Sequence, residues 1–234
     1  MKKSIVILSV LATSAALAAT TVESSNTFGF LPVTTASTGL TCVAVPVNGY
    51  TAGSSIKIAE VLQVTDLAEG DKLYTMTGGK YNEYTLTLKE GNKTWAASRI
   101  VTVGADGEFV AQGGTPPNEA TIAPGGAFWL QTSATRVSLM GDATKTASEA
   151  KITKGWQLIG NPLIKEIYPL SSIPGSRTYG DVLQTSTTAY RYVNIYGVGN
   201  GWATGSGKNW TLAPGDAGLN PGEGALLYSQ AGSN

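Results

Sequence analysis

Apolar residues in this chain recur mostly at alternate positions, in short runs closed by glycine, proline or a polar pair. Lys72 to Thr77 and Tyr81 to Lys89 flank Gly78-Gly79; in the second run Tyr84, Leu86 and Leu88 share one face, and Thr85 and Thr87 the other. Period two sets one face of a strand on a core and the other toward solvent, so these runs predict a β-hairpin. Val43 to Val45 reads as a buried strand stopped by Pro46, which lacks the N–H a ladder needs. Trp95 opens another strand, and Arg99 to Val103 with Glu108 to Ala111 flank Ala105-Asp106-Gly107, a second hairpin signal. The turn Pro124-Gly125 launches Ala127 to Gln131, and Arg136 to Met140 predicts one more strand. The segment Thr20 to Ser37, with Phe28, Phe30 and Leu31, predicts an extra strand packed on a lobe. Only Ile56 to Gln63, with Ile58, Val61 and Leu62 at rough helical spacing, predicts a short helix.

The pattern also repeats. Gly39-Leu40-Thr41-Cys42-Val43-Ala44-Val45-Pro46 is answered by Gly155-Trp156-Gln157-Leu158-Ile159-Gly160-Asn161-Pro162. Gly70-Asp71 is answered by Gly180-Asp181, Trp95 by Trp202, and Pro124-Gly125 by Pro221-Gly222. The separations shrink along the chain, from 116 positions at Pro46/Pro162 through 110 at Gly70/Gly180 and 107 at Trp95/Trp202 to 97 at Pro124/Pro221. Four matches in one order indicate a duplicated unit whose second copy has shorter loops. The expected fold is therefore all-β, with two related lobes, each a small β-sandwich or partly closed barrel. The first unit covers 19–134, a linker strand and polar link 135–153, and the second unit 154–234.

The first 18 residues read as a signal peptide. Lys2 and Lys3 precede an apolar run from Ile5 to Leu11, and Ala16-Leu17-Ala18 places small residues at the −3 and −1 positions, so cleavage is expected before Ala19. The run is too short to span a bilayer, which needs about 20 apolar residues, and no later segment reads as a transmembrane helix. The strands look short for an outer-membrane barrel. Export, to the extracellular space or the cell surface, is the expected localisation.

Composition sharpens this picture. Charged residues make up 14% of the chain, against 29 Gly and 10 Pro, the balance of a turn-rich β protein. Loss of Lys2 and Lys3 leaves 14 basic against 16 acidic residues, with no basic cluster, so nucleic acid is not an expected partner. One cysteine excludes an intramolecular disulfide.

The segments Glu23 to Gly29, Val137-Ser138-Leu139-Met140-Gly141 and Gly155 to Pro162, with the later Pro-Gly turn, carry a resemblance. They are similar to uncharacterised exported proteins with a duplicated β unit from planctomycete and verrucomicrobial kinds of bacteria. That resemblance implies export and duplication, and no catalytic residues.

Candidate chemistry is sparse. The absence of histidine removes Ser-His-Asp and Cys-His nucleophile systems and every His-ligated metal. Cys42 aligns with Leu158, an apolar strand position, and is expected to be a buried hydrophobe. Ser54-Ser55-Ile56-Lys57 fits the S-x-x-K pattern of penicillin-recognising enzymes, but no K-T-G element accompanies it. Gly205-Ser206-Gly207-Lys208 is read as a solvated hairpin tip: Asn209 stands where a phosphate loop needs Ser or Thr, and Trp202 where it needs glycine. Asp71 and Asp181 each follow glycine, where a side-chain oxygen caps a turn.

Aromatic residues are the positive signal. Trp95, Trp129, Trp156 and Trp202 have counterparts in the repeat and are expected in the core. Trp210 has none, and sits in a glycine-rich stretch, 199–210, that reads as a loop peculiar to the second unit, with Tyr196 just before it. A sugar offers an apolar face to stack and hydroxyls to bond, so Trp210, Tyr196, Asn200 and Asn209 form the candidate ligand site. The expectation is a non-enzymatic secreted or envelope β protein with a structural or interaction role, its partners a polysaccharide or other envelope proteins. No catalytic residue, metal or cofactor is assigned. A carbohydrate-binding module is the first alternative, and a carboxylate-dependent glycosidase the second.

Overall fold

A computed structural model describes residues 28–36, 39–48, 55–65, 67–103, 109–123, 125–143, 150–163 and 166–231. The signal segment with its cleavage site, the leading stretch Thr20 to Thr27, Ser54, Ala105-Asp106-Gly107 and Pro124 lie outside them.

The protein is all-β, in two lobes built on six-stranded antiparallel sheets. In the first lobe the sheet contains β2 (Leu40–Ala44), β5 (Lys72–Thr77), β6 (Lys80–Lys89), β7 (Asn92–Val103), β8 (Phe109–Ala111) and β10 (Ala127–Gln131), after β1 (Phe28–Thr34). Shorter pieces complete it: β3 (Val47–Asn48), β4 (Ile56–Lys57), the four-residue helix α1 (Ile58–Val61), β9 (Thr121–Ile122) and β11 (Arg136–Ala143). The expected helix over 56–63 thus shrinks to one turn, because Ile56 and Lys57 pair as strand with Ile122 and Thr121.

The second lobe contains β12 (Gly155–Gly160), β13 (Tyr168–Pro169), β14 (Val182–Gln184), β15 (Ala189–Ile195), β16 (Gly199–Ser206), β17 (Asn209–Leu212), β18 (Gly218–Leu219) and β19 (Gly224–Ser229). Its sheet runs β12-β19-β14-β15-β16-β17, and that of the first lobe β2-β10-β5-β6-β7-β8. The order is the same, element for element. Registers agree too: Trp129 opposes Cys42 and Tyr74, as Leu226 opposes Leu158 and Gln184. Leu86 faces Trp95 as Tyr192 faces Trp202. Neither sheet closes into a barrel.

Local chemistry repeats with the topology. Gly70 N–H donates to Leu86 O, and Gly180 N–H to Tyr192 O, each at 2.9 Å. Asp71 Oδ2 accepts from Ala68 N–H at 2.9 Å, and Asp181 Oδ2 from Thr178 N–H at 3.1 Å, so both aspartates cap their turns as their position after glycine predicts. One addition is not repeated: β1 pairs with β11, and β11 with β3, forming a second layer over the first lobe. Leu31, Val33, Val137 and Leu139 enter that lobe's core through it, so the linker strand packs there.

The lobes meet along a seam with reciprocal contacts, as across a two-fold axis. Val43 bridges Glu223 and, at the equivalent place, Ile159 bridges Gly126. Ala44 N–H donates to Gly222 O at 2.9 Å, and Gly160 N–H to Gly125 O at 2.8 Å. Backbones approach this closely only because the seam carries small residues. A Cβ on Gly160 would lie 2.5 Å from Ala44 Cβ, and one on Gly224 would lie 2.7 Å from Cys42 Sγ. Beside the seam, Cys42, Tyr74, Tyr81, Ala127 and Trp129 form an apolar cluster against which Leu158 and Leu226 pack. Cys42 is buried, as expected, and burial pushes its thiol well above its ordinary value, with Glu223 adding to the rise.

Candidate functional site

The four residues proposed for a sugar site do not converge. The stretch 199–210 is not a loop but the paired strands β16 and β17, joined by a tip at Gly207-Lys208. Its glycines mislead because pairing to β15 on one side and β17 on the other holds β16 extended. At Gly205, φ is +125° and a Cβ would fall 2.0 Å from Asn209 O, so the close turn requires glycine. Tyr196 sits in the turn before β16, fully exposed, next to Asn200, which pairs with Asn194. Trp210 lies opposite Gly205, five residues along β16 from Asn200, a span of about 17 Å. Asn209 is adjacent to Trp210 in sequence but alternation sends it to the other face.

Trp210 itself is half-buried. Its Nε1–H donates to Gly207 O at 3.0 Å, and the Arg191 guanidinium carbon stands 5.9 Å from the ring centroid. The ring packs on its own hairpin. Trp202 is buried at 6% exposure, its partner Trp95 is partly buried against the first core, and Trp129 is buried. Trp156 departs from expectation. It is 42% exposed: Leu40, its counterpart, packs beside the interlobe cluster, whereas Trp156 lies against Tyr228, the residue opposite it on β19. The two rings have centroids 4.9 Å apart and are tilted by 48°.

That pair opens a row across the outer face of the second sheet. Trp156 opposes Tyr228, Tyr228 opposes Val182, Val182 opposes Arg191, Arg191 opposes Ala203, and Ala203 opposes Leu212. The equivalent row in the first lobe reads Leu40, Gln131, Lys72, Thr85, Ala96, with no aromatic member.

Two grooves flank the seam and are themselves related by its pseudo-symmetry. One, of about 550 Å³, lies among Thr35, Thr41, Ser186 and Asn220 to Glu223. There β2 is satisfied from across the seam, since Cys42 N–H donates to Ser186 Oγ at 3.2 Å. The other, of about 520 Å³, runs along β12 between Met76 to Gly79 and Lys151 to Lys154, with Trp156 on its wall. Met76 stands in it where Ser186 stands in the first. Lys151 and Lys154 are exposed. Gln157 Oε1 accepts from Thr153 N–H at 2.9 Å, while its Nε2 is buried without a partner. Trp156 was placed in the core from the sequence because a residue matched in a repeat was equated with a core residue, and Tyr228 was not singled out at all. Alternation, which sets Trp156 on the face opposite Ile159, was the available signal.

Four carboxylates are tied into the scaffold. Buried Glu83 meets Arg99 at 3.1 Å and Lys72 at 3.6 Å. Asp71 Oδ2 accepts from Thr132 Oγ1, Asp181 Oδ1 from Gln230 N–H, and Glu223 Oε2 from Asn220. Among the described residues there is no cluster of three His, Cys, Asp or Glu side chains able to hold a metal ion. No protein-family model, curated protein or solved structure matches the chain.

Proposed function

We propose that this is a non-enzymatic protein of the bacterial cell envelope or extracellular space, exported through a cleaved leader, that acts by holding an extended partner in the groove along β12. The observation that supports this is the Trp156–Tyr228 pair. A large apolar ring is left 42% exposed at the wall of a groove, and the matching groove has no such ring. The engagement of Glu83, Asp71, Asp181 and Glu223 in scaffold contacts favours binding over carboxylate catalysis.

A polysaccharide is the occupant this geometry favours. A tilted aromatic pair supplies a stacking face, while the exposed Lys151 and Lys154 supply donors for hydroxyl or acidic groups along the chain. The test is a glycan array on the purified protein, run beside cell fractionation. Binding to a glycan class, lost in Trp156→Ala with folding intact, supports the reading. Retention of that binding in Trp156→Ala removes its support.

A further inference from the structure

The two grooves beside the seam are matched in backbone and opposite in charge. Lys151 and Lys154 line the one along β12, and no carboxylate lines it. Glu223 lines the other, which has no Lys or Arg. By the repeat, the counterpart of Glu223 is Gly126, so glycine takes the place of that carboxylate in the groove along β12. Residues 144–149, which precede Ala150 in the sequence, balance Lys145 against Glu149 and leave the excess as it stands. In a chain whose formal net charge is zero, this is a local concentration of positive charge.

These cations are also free of internal partners. In the first lobe Lys72 and Arg99 share buried Glu83, at 3.6 and 3.1 Å, and Lys57 meets Glu119 at 2.9 Å. In the second lobe Arg177 stands 3.8 Å from Asp181. No ion pair among the described residues includes Lys151, Lys154 or Arg191, and all three are exposed. Arg191 belongs to the row that starts at Trp156 and passes through Tyr228 and Val182. Three strand spacings separate it from Trp156, about 14 Å. On that face of the sheet it is the one charged residue that the pairing of β12, β19, β14 and β15 sets out. The aromatic pair thus has Lys154 two residues before Trp156, Arg191 across the sheet, and no carboxylate between them.

The edge of β12 adds further donors. Gly160 N–H crosses the seam to Gly125 O at 2.8 Å, and alternation along an antiparallel strand directs the N–H groups of Leu158 and Trp156 to the same side. On β2 the equivalent of Leu158 N–H is that of Cys42, which donates to Ser186 Oγ at 3.2 Å. Met76 stands in the place of Ser186 and has no hydroxyl to offer. The groove therefore presents ammonium groups, main-chain donors and an aromatic face, and lacks a carboxylate to oppose them. An anion with an apolar face complements it. We propose that the glycan held along β12 is acidic, a linear polymer whose carboxylates meet Lys151 and Lys154 on one side of the aromatic pair and Arg191 on the other, with a sugar ring stacked on Trp156. This rests on the reading of the groove as a glycan site and adds the charge of its occupant.

The test uses polygalacturonate, alginate and hyaluronate, each beside its own methyl ester, which keeps the backbone and removes the charge. Titration calorimetry on the full chain is expected to show at least one acid polymer binding about tenfold more tightly than its ester. That binding is expected to weaken as NaCl is raised from about 0.05 M to about 0.5 M. The double variant Lys151→Gln, Lys154→Gln is expected to lose about tenfold in affinity for the acid polymer. Lys89→Gln with Lys208→Gln, the same change of charge at two exposed hairpin ends, is expected to lose nothing. Equal binding of acid and ester, or equal losses in the two double variants, would overturn the proposal. So would a neutral glycan bound through Trp156 with none of the acids preferred, an outcome that leaves the glycan reading itself standing. Absence of binding to every glycan, or binding unmoved by Trp156→Ala, removes that reading and this inference with it.

Discussion

The two lobes share strand order, pair register and turn capping, yet differ on their outer faces and in how each ties down the loop over its core tryptophan. The first lobe is covered by an added layer, β1-β11-β3, and stitches its loop with Lys93 from the sheet. The second lobe lacks that layer, stitches its loop with Arg177 from within, and exposes Trp156 on its outer face. Duplication thus holds fixed what the fold needs, namely the strand order, the apolar character of the inward positions and the turn glycines Gly70/Gly180 and Gly125/Gly222, while at the seam Gly160 and Gly224 face their own repeat counterparts, Ala44 and Ala127. The outward positions and the loop over the core are free to diverge, and the divergent features gather in the second lobe.

The largest expected effect tests whether matched positions carry matched energetics. Trp202→Ala is expected to destabilise the second lobe by about 3–5 kcal/mol, the cost of emptying a buried tryptophan site. Trp95, only partly buried, is expected to cost less on the same truncation. Denaturant unfolding followed by fluorescence checks both, and a larger loss at Trp95 would break the comparison.

The seam comes next. Gly160→Ala and Gly224→Ala each place a Cβ within 2.7 Å of an atom of the facing lobe, so each is expected to cost about 1–3 kcal/mol by overpacking. Gly207→Ala, at the open hairpin tip, meets no atom and bears only the strain of its φ of +60°. If the seam variants are no worse than the tip variant, the lobes do not pack as described.

A smaller, pH-dependent effect follows from Cys42. Its folded-state value lies above its unfolded value near 8.5, so its contribution is fully present below about pH 8.5 and is lost as pH rises toward the folded value. The loss is up to about 1.4 kcal/mol per pH unit. Tyr81, pushed up to about 12 by burial, adds a similar decline only above about pH 10, where unfolded tyrosine ionises. Between pH 8.5 and 10 the slope is therefore expected to flatten in Cys42→Ala, and a thiol reagent is expected to label the native protein only on unfolding.

The β-hairpins, the turn caps, the buried cysteine and the duplication were legible in the sequence because period-two patterning and turn chemistry are local, whereas the order β2-β10-β5, set by pairing distant segments, was not. The seam was not, since nothing local marks Gly160 or Gly224 as an interlobe contact rather than a weak strand position. The candidate site failed for a related reason. Gly199 to Trp210 has the composition of a loop, and only pairing on both sides of β16 makes it a strand. Trp156 was hidden by its match to Leu40, because repeat equivalence fixes where a backbone lies and not how far its side chain is covered.

The smallest stability effects are expected at the surface aromatics, and there the account is most exposed. Trp210→Ala loses one hydrogen bond and the Arg191 contact on an edge hairpin and is expected to cost no more than about 1 kcal/mol. Trp156→Ala, which loses the Tyr228 ring contact, is expected to cost about 0.5–1.5 kcal/mol, and Tyr196→Ala, fully exposed, to stay within about 0.5 kcal/mol. Retention of these two variants and the unaltered protein on columns of the glycan class found by the array is the most direct measurement. The account predicts that Trp156→Ala loses retention while Tyr196→Ala, at the far end of β15, keeps it. Loss with Tyr196→Ala and full retention with Trp156→Ala would contradict it.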